Sequence, residues 1–421
     1  MNHYFKFVHA ADLHLDSPLI GLEAFDDAPV ETIRDATREA LRRLVNLCID
    51  EQVQFLLIAG DVYDGEWKSM ATGRFFADQM ARLAKAEIPV YLIKGNHDAA
   101  SKVTQNLVVP GVTQFDHKRA QTHRIDDIGV AIHGQSYARP DVTENLSLGY
   151  PAPVPGMFNI GMLHTCGTGG STLHAPYAPC NLDDLVRKGY DYWALGHVHQ
   201  RAVLNENPHI IFPGNIQGRH VREPAEEGKG VTIVEVAGGS IRSLKHVPLD
   251  TVRWMSLNVD VSGAISIDEV YSRVNIAARD AFDSCGECLL AARITLSGNC
   301  AASLEIHKDP ETFEEGLRSS AQGAVSNLWI EEVRVRTRAE TANLSVADQG
   351  SLGDLLEYVR TAGTECRMAD VNARLTVLRN RIQSIAPEIV DELDLNDENL
   401  LADLLPEIEE TILSMASGAV K

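Results

Sequence analysis

Long apolar runs are missing from this 421-residue chain: no stretch approaches the roughly eighteen continuous apolar residues of a membrane-spanning helix. A leader is not expected either. The N-terminus, MNHYFKFVHAADLH, enters a strand directly, without a basic segment followed by an apolar one, so a cytoplasmic protein with no membrane association is expected. Cysteine is scarce. Seven residues, an odd number spread thinly, argue against a disulfide framework and for reduced thiols. Cys285 and Cys288 form a lone CxxC with no second ligand pair nearby, so incidental or buried thiols are expected there rather than a zinc site. Positive charge is short too. With 38 Lys and Arg against 59 Asp and Glu, a formal net charge of -21 speaks against passive adhesion to nucleic acid through bulk charge. It leaves room for a nucleic-acid substrate if divalent metals or a basic partner supply local positive charge. Much of the acidity gathers near the C-terminus, in EIVDELDLNDENLLADLLPEIEE.

What the chain does have is a set of apolar runs that each stop on a metal-binding side chain. In 53–64, VQFLLIAGDVYD, strand formers are broken by Ala59 and Gly60 just before Asp61. A single Gly-Asp pair would be read as a turn. Repetition changes that reading. FKFVHA leads to Asp12 and His14, IPVYLIKG to Asn96, His97 and Asp98, FNIGML to His164, and YDYWALG to His197 and His199. The ends of parallel strands are where open α/β sheets keep their ligands.

In order, residues 4–10 read as a strand, 29–52 as a helix with Ile33, Ala36, Ala40, Leu44, Leu47 and Cys48 on one face, and 70–87 as a second helix before the strand ending at Asn96. This βαβαβ pattern predicts a parallel sheet with right-handed crossovers. Two strands joined by a turn at 126–129 follow, then strands at 158–163, 190–195, 209–213, 230–236 and 241–247, expected to form a second, stacked sheet. Domains are expected at 1–250, at 251–340 as a small α+β cap with helices near 266–282 and 311–326, and at 341–421 as a helical tail. Tail helices are placed near 350–362, 366–385 and 396–416. The last carries Leu400, Leu401, Leu404, Leu405, Ile408, Ile412 and Leu413 on one face, and either packs on its own domain or docks another protein.

Two cations about 3.5–4 Å apart need a bridging carboxylate among mixed oxygen and imidazole donors, and Asp61 is the natural bridge. Asp12 and His14 with a histidine of HVH would complete one site, Asn96 and His164 the other. An extended HVH would turn His197 and His199 to the same side. His97, beside a ligand, is free to serve the phosphate or leaving oxygen, with Asp98 orienting it.

The motifs DLH, GDVYD, GNHD, MLHT and GHVH, in this order over about the first 250 residues, resemble calcineurin-like metallophosphoesterases. ADLHLDSP, PGN after GHVH, and the cap and tail resemble more specifically the bacterial SbcD-type DNA repair exonucleases of the YhaO-type branch. The resemblance implies a β-sandwich flanked by helices in a four-layer-like arrangement, with two divalent ions, Mn2+, at its edge. It implies Asp12, His14, Asp61 and His199 on one ion, Asp61, Asn96, His164 and His197 on the other, and His97 as the transition-state histidine. It also implies action on DNA ends in double-strand-break repair, a cap that positions DNA, a tail that binds the coiled coil of an SbcC-like ATPase, and a homodimer formed through helices 29–52 and 69–87.

Two departures stand out. Some nucleases of this superfamily carry a second histidine three residues after the bridging aspartate; here that residue is Asp64, so exonuclease activity is not implied by it. GDVYDGEW lacks the arginine of Ser/Thr protein phosphatases. Lys68, Lys102, Lys118, Arg119, Arg124, Arg219 and Arg222 are either phosphate contacts or scattered surface charge. Two alternatives remain: a small-molecule or cyclic-nucleotide phosphodiesterase, and a non-catalytic architectural subunit of an ATPase complex.

Overall fold

In β1 (Tyr4–Ala10) and β2 (Phe55–Ala59), nearly every side chain is buried on one face or the other, as expected of central strands with cover on both sides. The computed structural model describes residues 4–17, 28–64, 70–100, 109–167, 178–223, 227–286, 288–339 and Thr376. Between and after these strands come α1 (Val30–Asp50), α2 (Met70–Lys85), β3 (Val90–Ile93), the short α3 (Asn96–Ala100), β4 (Val112–Gln114), β5 (Gln121–Ile125), β6 (Val130–Gly134), β7 (Phe158–His164), α4 (Leu182–Arg187), β8 (Tyr192–Gly196), β9 (Ala202–Glu206), β10 (His209–Phe212), β11 (Gly230–Ala237) and β12 (Ser240–Pro248).

They form two six-stranded sheets, ordered β12-β11-β1-β2-β3-β4 and β5-β6-β7-β8-β10-β9. β1 to β4 pair in parallel, as do β6, β7, β8 and β10. One expectation is corrected: β11 and β12 do not extend the second sheet; β11 pairs antiparallel with β1, and β12 antiparallel with β11. β11, buried along most of its length, covers the edge that β1 would otherwise expose.

Period-two alternation sorts the core. Phe5, Phe7, Phe55 and Leu57 face the second sheet, whereas Val8, Ala10, Leu56 and Ile58 face the apolar stripes of α1 and α2. Phe7 and Phe55 stack at 5.0 Å, and Tyr192 meets Phe7 edge-on at 5.3 Å, so aromatic rings fill the gap between the sheets. His9, on the same face, is satisfied by Tyr192 Oη at 2.9 Å and the Leu195 carbonyl at 3.1 Å; burial pushes its pKa down to about 3 and keeps it neutral. On the far side of the second sheet, Trp193 and Leu195 pack with Tyr190 and Leu185.

Beyond these lie β13 (Val252–Asp260), α5 (Ile267–Cys285), β14 (Leu289–Asn299), α6 (Ser303–Lys308), α7 (Pro310–Ala324) and β15 (Leu328–Arg338), with the sheet order β13-β14-β15. Two compact units result. The first holds 4–255 with 285–291; the second holds 256–284 and, among the described residues, 292–339 and Thr376. In the second, α7 starts on Pro310 with the Asp309 carboxylate capping the Thr312 N–H at 3.2 Å. Tyr271 of α5 stacks on Phe313 and donates to its carbonyl at 2.9 Å. The expected tail helices, Thr376 apart, lie outside the described residues. No described helix is long and apolar enough to cross a membrane. Cys285 and Cys288 are buried cysteines outside any disulfide, in contact with Met255 Sδ and the Asp250 carbonyl respectively, and neither joins a candidate metal group among the described residues.

Candidate metal centre

Five strands end at one edge of the two sheets, and each end delivers a ligand-type side chain. Asp12 follows β1, Asp61 follows β2, Asn96 opens α3 after β3, His164 is the last residue of β7, and His197 and His199 follow β8. The chain turns abruptly at these ends. Asp12, His14, Asp61 and His197 have φ of 52°, 41°, 51° and 101°, left-handed values that side chains other than glycine adopt at a cost of about 1–3 kcal/mol each. A ladder between the loops holds them: Asp12 N–H donates to the Gly60 carbonyl, His14 N–H to that of Asp61 and Leu15 N–H to that of Val62, each at 3.0 Å.

The seven donors separate into two groups. Ligand atoms of Asp12, His14 and His199 all lie within 4.8 Å of one another, and so do those of Asp61, His164 and His197. Asn96 Oδ1 joins the second group, 3.0 Å from His164 Nε2, which is also 3.2 Å from Asp61 Oδ2. In the first group, His14 Nε2 and His199 Nε2 stand 3.0 Å apart. Asp12 spans the groups, both its oxygens accepting the His197 N–H at 3.1 and 2.9 Å. Small residues make this approach possible. A Cβ on Gly95 would lie 2.2 Å from Asp61 Oδ1, and one on Gly60 would lie 2.4 Å from His164 Nδ1.

Buried carboxylates, imidazoles and one amide oxygen at such separations fit divalent cations of the oxygen- and nitrogen-preferring kind. His14 Nε2 and His199 Nε2, facing each other at 3.0 Å, are close enough to bind one cation together. The profile of the calcineurin-like phosphoesterase family matches residues 5–201, which hold all seven donors. A second profile, the middle domain of metallophosphoesterase YhaO, matches residues 254–338. Over 385 residues, 86% of this chain and 92% of the relative, the sequence is 37% identical to the "uncharacterized metallophosphoesterase YhaO" of Bacillus subtilis (strain 168). The chain belongs to the calcineurin-like metallophosphoesterases. More distantly, this metallophosphoesterase is 22% identical over 390 residues to the DNA double-strand break repair protein Mre11 of Methanopyrus kandleri, covering 84% of this chain and 82% of that one. It is 24% identical over 260 residues to the protein of the same name from Sulfurisphaera tokodaii, covering 58% and 63%. The phosphoesterase family makes it a metal-dependent hydrolase.

Electrostatics in the metallophosphoesterase site divide the donors. Burial pushes Asp12 up to about 6 against the pull of His164 and His199. Burial works the same way on Asp61, but the imidazoles of His164, His97 and His14 win and hold it below the usual carboxylate range. Burial and the nearby Arg219 guanidinium take His14 down to about 3, leaving a neutral ring with a free lone pair. For His164, burial is outweighed by Asp61 and Asp12, and its pKa rises to about 9. The anions that hold a proton on His164 are those that would attract a cation.

His97 and its neighbours correct two expectations. Asp98 does not orient His97: its buried carboxylate accepts the Val62 and Tyr63 N–H groups at 3.0 Å and that of Gly95 at 3.1 Å, pinning the loops that carry Asp61 and Asn96. Successive residues of the helical turn α3 point about 100° apart, so neighbours in sequence face different ways. Asp64 meets the His97 ring instead, 2.8 Å from Nδ1. It also accepts from Ser17 Oγ, and it lies 3.5 Å from His14 Nδ1. Burial disfavours the charged ring, yet the bond to Asp64 and the charge of Asp61 prevail, and the pKa of His97 is raised. The second correction is the HVH segment, which is not extended: β8 ends at Gly196, His197 takes φ 101°, and the two imidazoles enter different groups.

Of the candidate basic residues, Lys118, Arg119 and Arg124 are exposed, Arg124 pairing with Asp126 at 2.8 Å; Lys68 and Lys102 lie outside the described residues. Arg219 reaches the site, 3.3 Å from Asp64. Glu223, which carries no motif in the sequence, lies 2.7 Å from His199 Nδ1 and 3.0 Å from Arg219 Nη2.

Proposed function

We propose that this metallophosphoesterase is a dinuclear, manganese-dependent phosphodiesterase that cuts DNA ends in double-strand-break repair. Asp12, His14, Asp61 and His199 would hold one ion and Asp61, Asn96, His164 and His197 the other. The observation that carries this reading is the pair of donor groups, Asp12 with His14 and His199 and Asp61 with His164 and His197, so that four imidazoles are divided between two carboxylates. Bound divalent ions supply Lewis-acid polarisation of the phosphodiester and acidify a water for in-line attack.

The chain's own part is positioning and proton handling. Asp64, on Nδ1 of His97, leaves Nε2 to donate to the phosphate or to the leaving oxygen. Asp98 keeps the Asp61 and Asn96 loops in register. DNA as substrate is supported by the archaeal relatives named as double-strand break repair proteins. The net charge of -21 argues that a partner supplies much of the DNA-binding charge. We assign that part to an SbcC-like coiled-coil ATPase docked on the C-terminal segment 341–421, with the protein acting in the cytoplasm as a homodimer through the faces of 29–52 and 69–87.

The test is hydrolysis of bis(p-nitrophenyl) phosphate and of linear, hairpin and single-stranded DNA by chelator-treated protein reloaded with Mn2+, Mg2+ or Ca2+. Mn2+-dependent cleavage of the diester, and of DNA in the presence of the ATPase, is expected. Mn2+-loaded protein that cleaves neither would contradict the reading.

A further inference from the structure

Outside the seven donors, the side chains that touch them form a chain of alternating charge. Glu223, buried, places Oε1 2.7 Å from His199 Nδ1 and accepts from Arg219 Nη2 at 3.0 Å. Its other oxygen accepts from Asn215 Nδ2 at 2.8 Å and from the Arg219 N–H at 3.0 Å, so the carboxylate is held on both sides and cannot swing away. Arg219 then reaches across to Asp64, Nη1 to Oδ2 at 3.3 Å, and Asp64 holds His97 Nδ1 at 2.8 Å. A carboxylate on one nitrogen of an imidazole fixes the tautomer and aims the other nitrogen. Here the other nitrogen of His199 is the one that stands 3.0 Å from His14 Nε2.

We propose that Glu223 is the positioning residue for His199, and that Arg219 joins it to Asp64 so that one partly buried ion-pair relay aligns both His199 and His97. The relay spans residues of three separate segments: 64 after β2, 97 in α3, and 199 to 223 around β9 and β10. In this chain a carboxylate, Asp64, stands three residues after the bridging Asp61, and Arg219 supplies the cation beside it. Removing Arg219 takes away the guanidinium that pairs with both Glu223 and Asp64, and each imidazole loses its anchor's anchor.

This inference rests on the metal-bound reading of the site, and the experiment separates the two. Calorimetric titration of Mn2+ into chelator-treated full-length protein, with electron paramagnetic resonance of the loaded samples, is run for wild type, Glu223→Ala, Glu223→Gln and Arg219→Ala. Wild type is expected to take up two ions and give the signal of a coupled pair. Glu223→Ala is expected to lose about 10- to 100-fold in affinity at one site only and to show the six-line signal of isolated Mn2+, with Glu223→Gln between the two. Thermal unfolding of the metal-free proteins shows whether the variants fold. At saturating Mn2+, Arg219→Ala is expected to lower kcat on the chromogenic diester with KM unchanged, and to lower it no further once His97 is already alanine. Folded Glu223 variants that bind both ions as wild type does, or additive losses for Arg219→Ala and His97→Ala, would overturn the relay. Wild type that binds no Mn2+ would overturn the underlying reading and the relay with it.

Discussion

Between His164 and Asp61 there is a 3.2 Å contact in which a proton and a cation compete for the same lone pairs. Burial works to lower the pKa of His164 but Asp61 raises it to about 9, so at neutral pH the ring is protonated and must lose that proton to act as a ligand. Binding therefore releases protons. The sign follows directly: apparent affinity rises with pH, by up to about tenfold per unit, and levels off above about 9. Calorimetry in buffers of different ionisation enthalpy measures the proton count, and affinity flat from pH 6 to 9 would contradict it. His97 differs in that its Nδ1 lies 2.8 Å from the Asp64 carboxylate. His97→Ala is expected to cost about 10²- to 10⁴-fold in kcat with Mn2+ affinity unchanged, measured on the chromogenic diester. At this scale the gathering of seven donor-type side chains and His97 at one edge was legible, because each sits just past an apolar run in a recognisable motif. Glu223 was missed and Arg219 was named only as a possible phosphate contact, because both act from the segment after β10, where no periodicity says which way a side chain points. The partner of Asp98 was misread because neighbours in a helical turn face different ways.

The strands were legible by their apolar runs, but their partners were not. β11 and β12 read correctly as strands, yet nothing in GVTIVEVA says that its neighbour is β1, more than two hundred residues earlier, rather than β10. β9, with its half-exposed, polar AVLNE, was too short of strand formers to be read at all. Glycine is what lets the strand ends meet. A Cβ on Gly196 would lie 1.9 Å from the Ala59 carbonyl and 3.0 Å from His164 Nδ1, so the end of β8 can close on the end of β2 only without a side chain. Gly196→Ala is expected to cost about 1–3 kcal/mol in a urea titration, because the sheets must part where the ligands converge. The same separation is expected to weaken Mn2+ binding. A midpoint and slope equal to those of wild type would show that the two ends are not in contact.

For the molecule as a whole, the parallel strands and left-handed loops have their functional meaning only if cations complete the edge they build. Motif order made the family legible from the first 250 residues, and the 37% identity to YhaO over most of both chains agrees with it. Substrate and partners were less so: a chain with a formal net charge of -21 carries little in its composition that says what it grips. The central claim is the dinuclear site with Asp61 between its ions. Anomalous diffraction from crystals soaked in Mn2+ tests it most directly. Two peaks about 3.5–4 Å apart flanking the Asp61 carboxylate, and loss of at least one in Asp61→Asn, are predicted. A single peak, or peaks away from Asp61, would contradict it.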